Sequence, residues 1–294
     1  MTRWLERYDA LLGMPVGTRS IAVLRVAVGL IAFVVLRPIA ADAVAGRTYH
    51  DRFHEPFLDW LPHPSPPIFT TVMVIGSVAA LGTSVGLLTR WSTAATTIAL
   101  GTYLVASTTH LHNNRAYLFA ILLGVSLAPA GRSWSLDRLI AVRRGHPPDE
   151  TMAAWPLWLL RFQCALVYAA SGLSKLIDPG WFGGTVTWGR VVTAEVNLRA
   201  SVLPEPIQDL LLERSFHTVA AKAIVCTELF IAAGLWWRRT RWWAVAAAVA
   251  FHVSIELSAS VETFSYLAIA VLVVWAQPDL GFTQRLAGVR RVTA

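Results

Sequence analysis

Eight apolar runs separated by short polar stretches leave this chain of 294 residues few folds to choose from. They extend from Ser20 to Ala41, Ile68 to Leu88, Ser92 to Thr109, Ala116 to Ala130, Trp155 to Lys175, Thr218 to Trp237, Trp242 to Ser258 and Glu262 to Gln277, the fourth and eighth being short. A bilayer core takes about 20 mainly apolar residues per helix, and only helices or closed barrels satisfy every backbone group there. Charged residues make up 15% of the chain and hydrophobic ones 55%, against about 25% charged in a soluble domain. The pattern predicts an all-α integral membrane protein: a polytopic bundle of eight transmembrane helices forming a single domain over 1–294, without internal repeats. A cleaved leader accounts poorly for the first run. Ala41-Asp42-Ala43 has the small-residue spacing, but the run exceeds the ~7–15 apolar residues of such signals. Trp4 to Met14 reads as an interfacial helix within the segment 1–19, with Trp4, Leu5, Tyr8, Leu11 and Leu12 on one side.

The net charge of +7 comes from 23 arginines and two lysines, Lys175 and Lys222. No basic run exceeds two adjacent arginines, so nucleic acid is not an expected partner; the lipid bilayer is. With the N-terminus in the cytoplasm, fourteen basic residues fall on the inner side, among them Arg90, Arg132, Arg138, Arg238 and Arg239. Six fall outside: Arg47, Arg52, Arg115, Arg190, Arg199 and Arg214. That bias predicts eight spans with both termini inside, and 278–294 as a short basic cytoplasmic tail. Arginine dominance with abundant Ala, Gly and Val suits a GC-rich bacterial genome and hence a bacterial cell membrane. Cys164 and Cys226 are too few for a disulfide framework and form no CxxC.

Ionisable groups inside spans are costly and need partners, a wet cavity or escape to the interface. The predicted topology gathers His110, His112, Asn113, Arg115, Lys175, Lys222, Glu228, His252, Glu256 and Glu262 into one outer-leaflet layer, which marks the candidate site. Tyr168, Ser171 and Ser174 precede Lys175 and face partly into the bundle. Competing readings are structural: Lys175 snorkels to the headgroups, Lys222 and Glu228, six apart, have separate partners, and His252 bonds Glu256 one turn away. Arg25 and Arg161, near inner span ends, are expected to snorkel; Arg37, nearer the outer side, is a candidate anion ligand. Trp155, Trp158, Trp236, Trp237, Trp242 and Trp243 read as interface anchors. No metal site is expected, since His50 with His54 and His110 with His112 lack a ligand signature. Two outer segments, Asp42 to Pro67 and Ile177 to His217, are long enough to carry function, the second with a short amphipathic helix starting near Pro204.

The stretch FQCALVYAASGLSKLIDPGWFGG, Phe162 to Gly184, resembles the vitamin K-dependent γ-carboxylase family and its bacterial relatives with the horizontally transferred transmembrane (HTTM) domain: an apolar helix, Tyr, a small-residue turn, Lys-Leu, then Asp-x-x-Trp and Gly. AFHVSIELSASVETFSYLAIA, Ala250 to Ala270, is similar to the family's Phe-His segment followed by Phe-x-Tyr. VGLLTRW (Val85 to Trp91) and HNNRAYL (His112 to Leu118) match more weakly and in the same order. The resemblance implies that Lys175 is the catalytic lysine, deprotonating a reduced quinone of the vitamin K hydroquinone type as a free amine. It places His252 beside a quinone oxygen or the base, leaves His112, Asn113, Arg115 and Lys222 to bind or orient substrate, and gives Glu228 or Glu256 the tuning of charge. Arg115 stands where the carboxylases have a histidine. No large lumenal portion is expected after Pro278, so carboxylation of propeptide-bearing proteins is not the expected activity. The resemblance allows a quinol- or lipid-linked modifying enzyme, of lyase or oxidoreductase type, or a non-enzymatic factor that matures or exports a secreted peptide, as in the maturation factor for a sporulation-delaying toxin. A transporter is disfavoured by a charged layer near one face and no broken-helix repeat.

Overall fold

The computed structural model describes residues 10–49, 55, 60, 63–258 and 263–276. The expected interfacial helix lies mostly outside these residues, as do His50, His54, Glu262 and the tail 278–294. Helices occupy every apolar run: α1 (Arg19–Val44), α2 (Pro66–Val85), α3 (Thr89–Ala106), α4 (Asn113–Ser126), then, after α5 (Leu136–Arg143), α6 (Trp155–Ile177). Four short helices come next: α7 (Pro179–Phe182), α8 (Thr185–Thr193), α9 (Glu195–Arg199) and α10 (Glu205–Leu212), the last being the segment anticipated near Pro204. The chain then returns through α11 (Arg214–Gly234), α12 (Arg241–Ser258) and α13 (Phe264–Val271), which tightens into a 3-10 turn over Leu272–Trp275. Among the described residues, four helices, α1, α2, α6 and α11, are long and apolar enough to cross a membrane.

The remaining four fall short for visible reasons. α3 carries a run of hydroxyls that the helix absorbs internally: Thr93, Thr96 and Thr97 donate to the carbonyls of Thr89, Ser92 and Thr93 at 2.7, 2.8 and 2.7 Å, a polarity cost met within one helix. α4 is only 14 residues long, and α12 holds Arg241, His252 and Glu256. α13 packs against α1, α4, α6 and α12 and so joins the two halves of the bundle. Close crossings use glycine. A Cβ on Gly29 of α1 would come within 2.5 Å of the Ser84 backbone of α2, and one on Gly76 within 2.1 Å of Ala99 Cβ on α3.

Two features depart from the expected all-α bundle with snorkelling arginines. A small antiparallel sheet pairs β1 (Pro15–Gly17) with β2 (Thr151–Ala153), Val16 opposite Met152. These segments lead into α1 and α6, and non-helical backbone at a buried position must satisfy itself with another strand; three residues are too few to show strand alternation. At the same end, Arg25 and Arg161 do not reach for headgroups. Arg25 is fully buried and donates from Nη1 to the Thr83 and Ser84 carbonyls at 2.7 and 2.8 Å, and from Nη2 to Trp134 O at 2.6 Å. It thereby caps the C-terminal carbonyls of α2. Arg161 donates from Nε to Val274 O at 2.9 Å and lies over the rings of Trp158 and Trp275. Trp158 and Trp236, read as anchors, belong to this packed cluster: they stack at 6.2 Å, and Trp236 meets Trp275 edge-on at 5.1 Å.

Arg25→Leu strands three carbonyls without their donor and is expected to cost on the order of 3 kcal/mol of stability. Arg37→Leu, on an exposed face of α1, should change it by less than about 0.5 kcal/mol. Thermal unfolding of the detergent-purified variants, followed by tryptophan fluorescence, makes the comparison; equal shifts would count against an internal role for Arg25.

Candidate functional site

The opposite end of the bundle holds the polar side chains that the apolar runs cannot explain. Lys175 sits two residues before the end of α6, where the chain turns sharply because Asp178 accepts from the backbone N–H groups of Gly180 and Trp181 at 2.7 and 3.2 Å and starts α7 as an N-cap. Its ammonium donates to Glu228 Oε1 of α11 at 2.5 Å and to Ser171 Oγ, one turn back, at 2.9 Å. Ser171 in turn donates to the same Oε1 at 3.0 Å. The Lys175 and Glu228 side chains are 13% and 4% exposed, so the pair is shielded from water and its partners depend on one another. Glycine sets the spacing. A Cβ on Gly172 would meet Leu229 Cδ2 at 2.9 Å and Glu228 Cβ at 3.3 Å, and its absence lets α11 lie against α6 at this level.

A second polar contact lies deeper. Tyr168 Oη and His252 Nε2 are 2.9 Å apart and buried, linking α6 to α12. Tyr168 lies seven residues, about two turns, before Lys175 on α6, so the two contacts follow one another along the same face of that helix. His252 is packed edge-on against Phe264 of α13 at 5.5 Å, and Tyr117 of α4 tilts against the same Phe264 at 6.0 Å. Several buried polar atoms here have no protein partner: Glu228 Oε2, His252 Nδ1 and the Tyr117 hydroxyl. Buried polar atoms in native proteins are nearly always satisfied, and three of the ten partner-free ones among the described residues lie around this constellation. The Lys175 ammonium also lies 4.8 Å from the centre of the Trp181 ring, which walls the site on the α7 side.

The other sequence-predicted residues are distributed around this centre. Lys222 is not an ion-pair partner of Glu228; its ammonium lies over Phe182 at 5.6 Å. His252 does not bond Glu256: one ring nitrogen is taken by Tyr168 and the other is unpartnered, while Glu256 lies one turn further along α12, half-buried. Arg115 donates to the Tyr103 hydroxyl at 3.0 Å and caps an aromatic column in which Tyr103 stacks on His110 at 4.3 Å. His112 accepts from Asn114 N at 3.4 Å as the N-cap of α4, and Asn113 is exposed at its first position. Among the described residues, no hydrogen bond or ion pair joins Arg115, His112 or Asn113 to the Lys175–Glu228 pair. From that loop it is Tyr117, in the same NNRAYL segment, that reaches the centre. Its partner-free hydroxyl, on an aromatic residue in an apolar helix, was indistinguishable in the sequence from that of an ordinary core tyrosine, whereas Tyr168 was already expected to face partly into the bundle. No group of three or more potential metal ligands occurs among the described residues.

A family model of the HTTM domain matches residues 14–280. The chain belongs to the HTTM-domain family. That match encloses α1 through the 3-10 turn after α13, with every site residue named above, and establishes a membrane protein of the carboxylase-related group. No curated protein and no solved structure matches the chain.

A double-mutant cycle tests whether the HTTM constellation is held by its ion pair. Glu228→Leu alone leaves the ammonium uncompensated and should destabilise by about 3 kcal/mol, while Lys175→Met with Glu228→Leu should recover most of that loss. Additive losses in the unfolding midpoints would show the pair to be uncoupled.

Proposed function

We propose that this HTTM-domain protein is a membrane-embedded modifying enzyme working on a quinol- or lipid-linked substrate, with Lys175 as its base and its site at the outer leaflet. The observation that carries this reading is the shielded Lys175–Glu228 pair whose second carboxylate oxygen has no partner, lying within the segment that resembles the carboxylases. The free-amine role requires the lysine to lose a proton, and the carboxylate at 2.5 Å is the acceptor at hand. Transfer from Lys175 Nζ to Glu228 converts ammonium and carboxylate into amine and carboxylic acid without moving net charge into the low-dielectric bundle. The amine then takes a proton from the substrate, which becomes an anion as Lys175 becomes ammonium again, and Glu228 returns to carboxylate by releasing its proton along the exposed edge of Lys175.

The unpartnered Glu228 Oε2, His252 Nδ1 and Tyr117 Oη suit a ring bearing hydroxyl groups, and Trp181 supplies an aromatic wall. A reduced quinone would supply there a hydroxyl that becomes strongly reducing once its proton is removed. Tyr168 fixes the imidazole plane of His252, so that Nδ1 presents one hydrogen-bonding function to a substrate oxygen. Arg115 and Lys222 add positive potential at the rim, and Glu256 offsets it.

A second reading is favoured by the stretch from the end of α6 to the start of α10, where Ile177, Val196 and Val202 are each more than 80% exposed. A surface of that kind suits a non-enzymatic factor that holds a secreted peptide during maturation or export.

Lys175→Ala and Lys175→Arg should each lower quinol turnover, or modification of a peptide encoded beside this chain, by at least about 100-fold, because arginine keeps the charge but does not release its proton. Activity retained in both variants removes Lys175 from the chemistry. If peptide capture survives Lys175→Arg and mass spectrometry finds no covalent change on the peptide, the escort reading stands instead. Both termini inside, eight spans and a bacterial cytoplasmic membrane belong to the same proposal. Cysteines placed one at a time at His112 and Gly145, in a background without Cys226, should react with an impermeant thiol reagent from opposite sides of the membrane. Labelling from one side alone overturns the topology.

A further inference from the structure

The short helices after α6 carry basic groups that no carboxylate answers. Arg190 in α8, Arg214 at the start of α11 and Lys222 two turns further on are exposed, and none of the three makes a hydrogen bond or ion pair among the described residues. Each is held over an aromatic ring instead: the Arg190 guanidinium carbon lies 5.0 Å from the centre of Trp181, that of Arg214 lies 5.6 Å from Trp188, and the Lys222 ammonium lies 5.6 Å from Phe182. Arg199, on the neighbouring helix, shows the contrast, since it is paired with both Glu195 and Asp209. The nearby carboxylates are otherwise engaged. Asp178 caps α7 and Glu228 holds Lys175, leaving Glu205 and Glu213 exposed, the latter next to Arg214 in the chain but not paired with it.

The Trp188 ring is fixed in place, and the start of α8 is held against α11. Trp188 Nε1 donates to Leu212 O at 2.9 Å. Gly184, at φ +83°, begins α8 against the α11 backbone so closely that a Cβ there would lie 2.3 Å from His217 O. A guanidinium stacked on a rigid ring has one face covered by carbon and its N–H edge free, the geometry that suits bidentate bonds to phosphate oxygens. Beside these cations, α11 presents an apolar and exposed strip: Val219 is 71% and Phe230 42% accessible. A soluble anion has no use for that strip, whereas an acyl chain does. Trp, Arg and Lys at the ends of apolar helices are also the residues that meet headgroups.

We propose that this surface binds the headgroup phosphate of an anionic phospholipid through Arg190, Arg214 and Lys222, with the acyl chains lying along the exposed apolar strip of α11. The site adjoins the Lys175 constellation, sharing Lys222 with its rim and touching it through Trp181, whose ring is approached by both Arg190 and Lys175.

Native mass spectrometry of the full chain in detergent, titrated with phosphatidylglycerol or with phosphatidylcholine of the same acyl composition, tests the assignment. Retention of phosphatidylglycerol should exceed that of phosphatidylcholine by at least about tenfold. The triple variant Arg190→Gln, Arg214→Gln, Lys222→Gln should fall to the phosphatidylcholine level, with an unfolding midpoint close to that of the parent because all three side chains are exposed. The variant Arg190→Lys, Arg214→Lys should fall between the two. Equal retention of both lipids, or full retention by the triple variant, overturns the proposal. Competition by millimolar inorganic phosphate as effective as that by the lipid would assign the cations to a soluble anion and overturn the lipid assignment.

Discussion

A charge surrounded by hydrocarbon has to be answered within a few ångströms, and this constraint arranges most of the bundle. At the sheet end the answer is a set of carbonyls: Arg25 gathers the C-terminal peptide oxygens of α2 and one from the loop before α5, and Arg161 takes a carbonyl from the turn after α13. At the far end the answer is a carboxylate, Glu228, brought to Lys175 by a close helix crossing at Gly172, where a Cβ would crowd Leu229 and Glu228. The first solution ties elements together through backbone carbonyls, although Arg25 Nε keeps no partner of its own. The second leaves a carboxylate oxygen over, and there the unanswered atom is an acceptor beside an ion pair rather than one edge of a guanidinium.

Much of this was legible in the residues. The apolar runs locate every long helix, because a stretch of apolar residues bounded by Arg, Pro or Gly has few alternatives once lipid is the solvent. The polar residues of α6, α11 and α12 were recognisable as a layer, since Lys175, Glu228 and His252 stand out against apolar neighbours. What sequence position does not encode is azimuth. Arg25 and Arg161 lie at depths where snorkelling and burial are equally compatible with the order of residues; only the packing of α2, the loop at Trp134 and the turn at Val274 decides between them. Azimuth equally decides that Lys222 turns to Phe182 and that His252 turns to Tyr168 rather than along its own helix.

Other parts were hidden because their signals are short. α7, α8 and α9 have four, nine and five residues, too few for a periodicity to emerge, and β1 and β2 have three each. Tyr117 resembles a core aromatic until its hydroxyl is traced to its surroundings. The inclusion of Tyr117 and the displacement of Arg115 to the rim have one geometric cause: residues two apart on a helix point about 200° apart, so one loop cannot present both to the same centre.

The Trp181 ring has a consequence of another kind. Two cations from different elements, Lys175 and Arg190, share the electron density of one indole. By reciprocity of linked equilibria, any event that changes the charge or position of one cation changes the ring's hold on the other by the same free energy in both directions. A single side chain thus serves as a two-way gauge between the interior of the bundle and its surface.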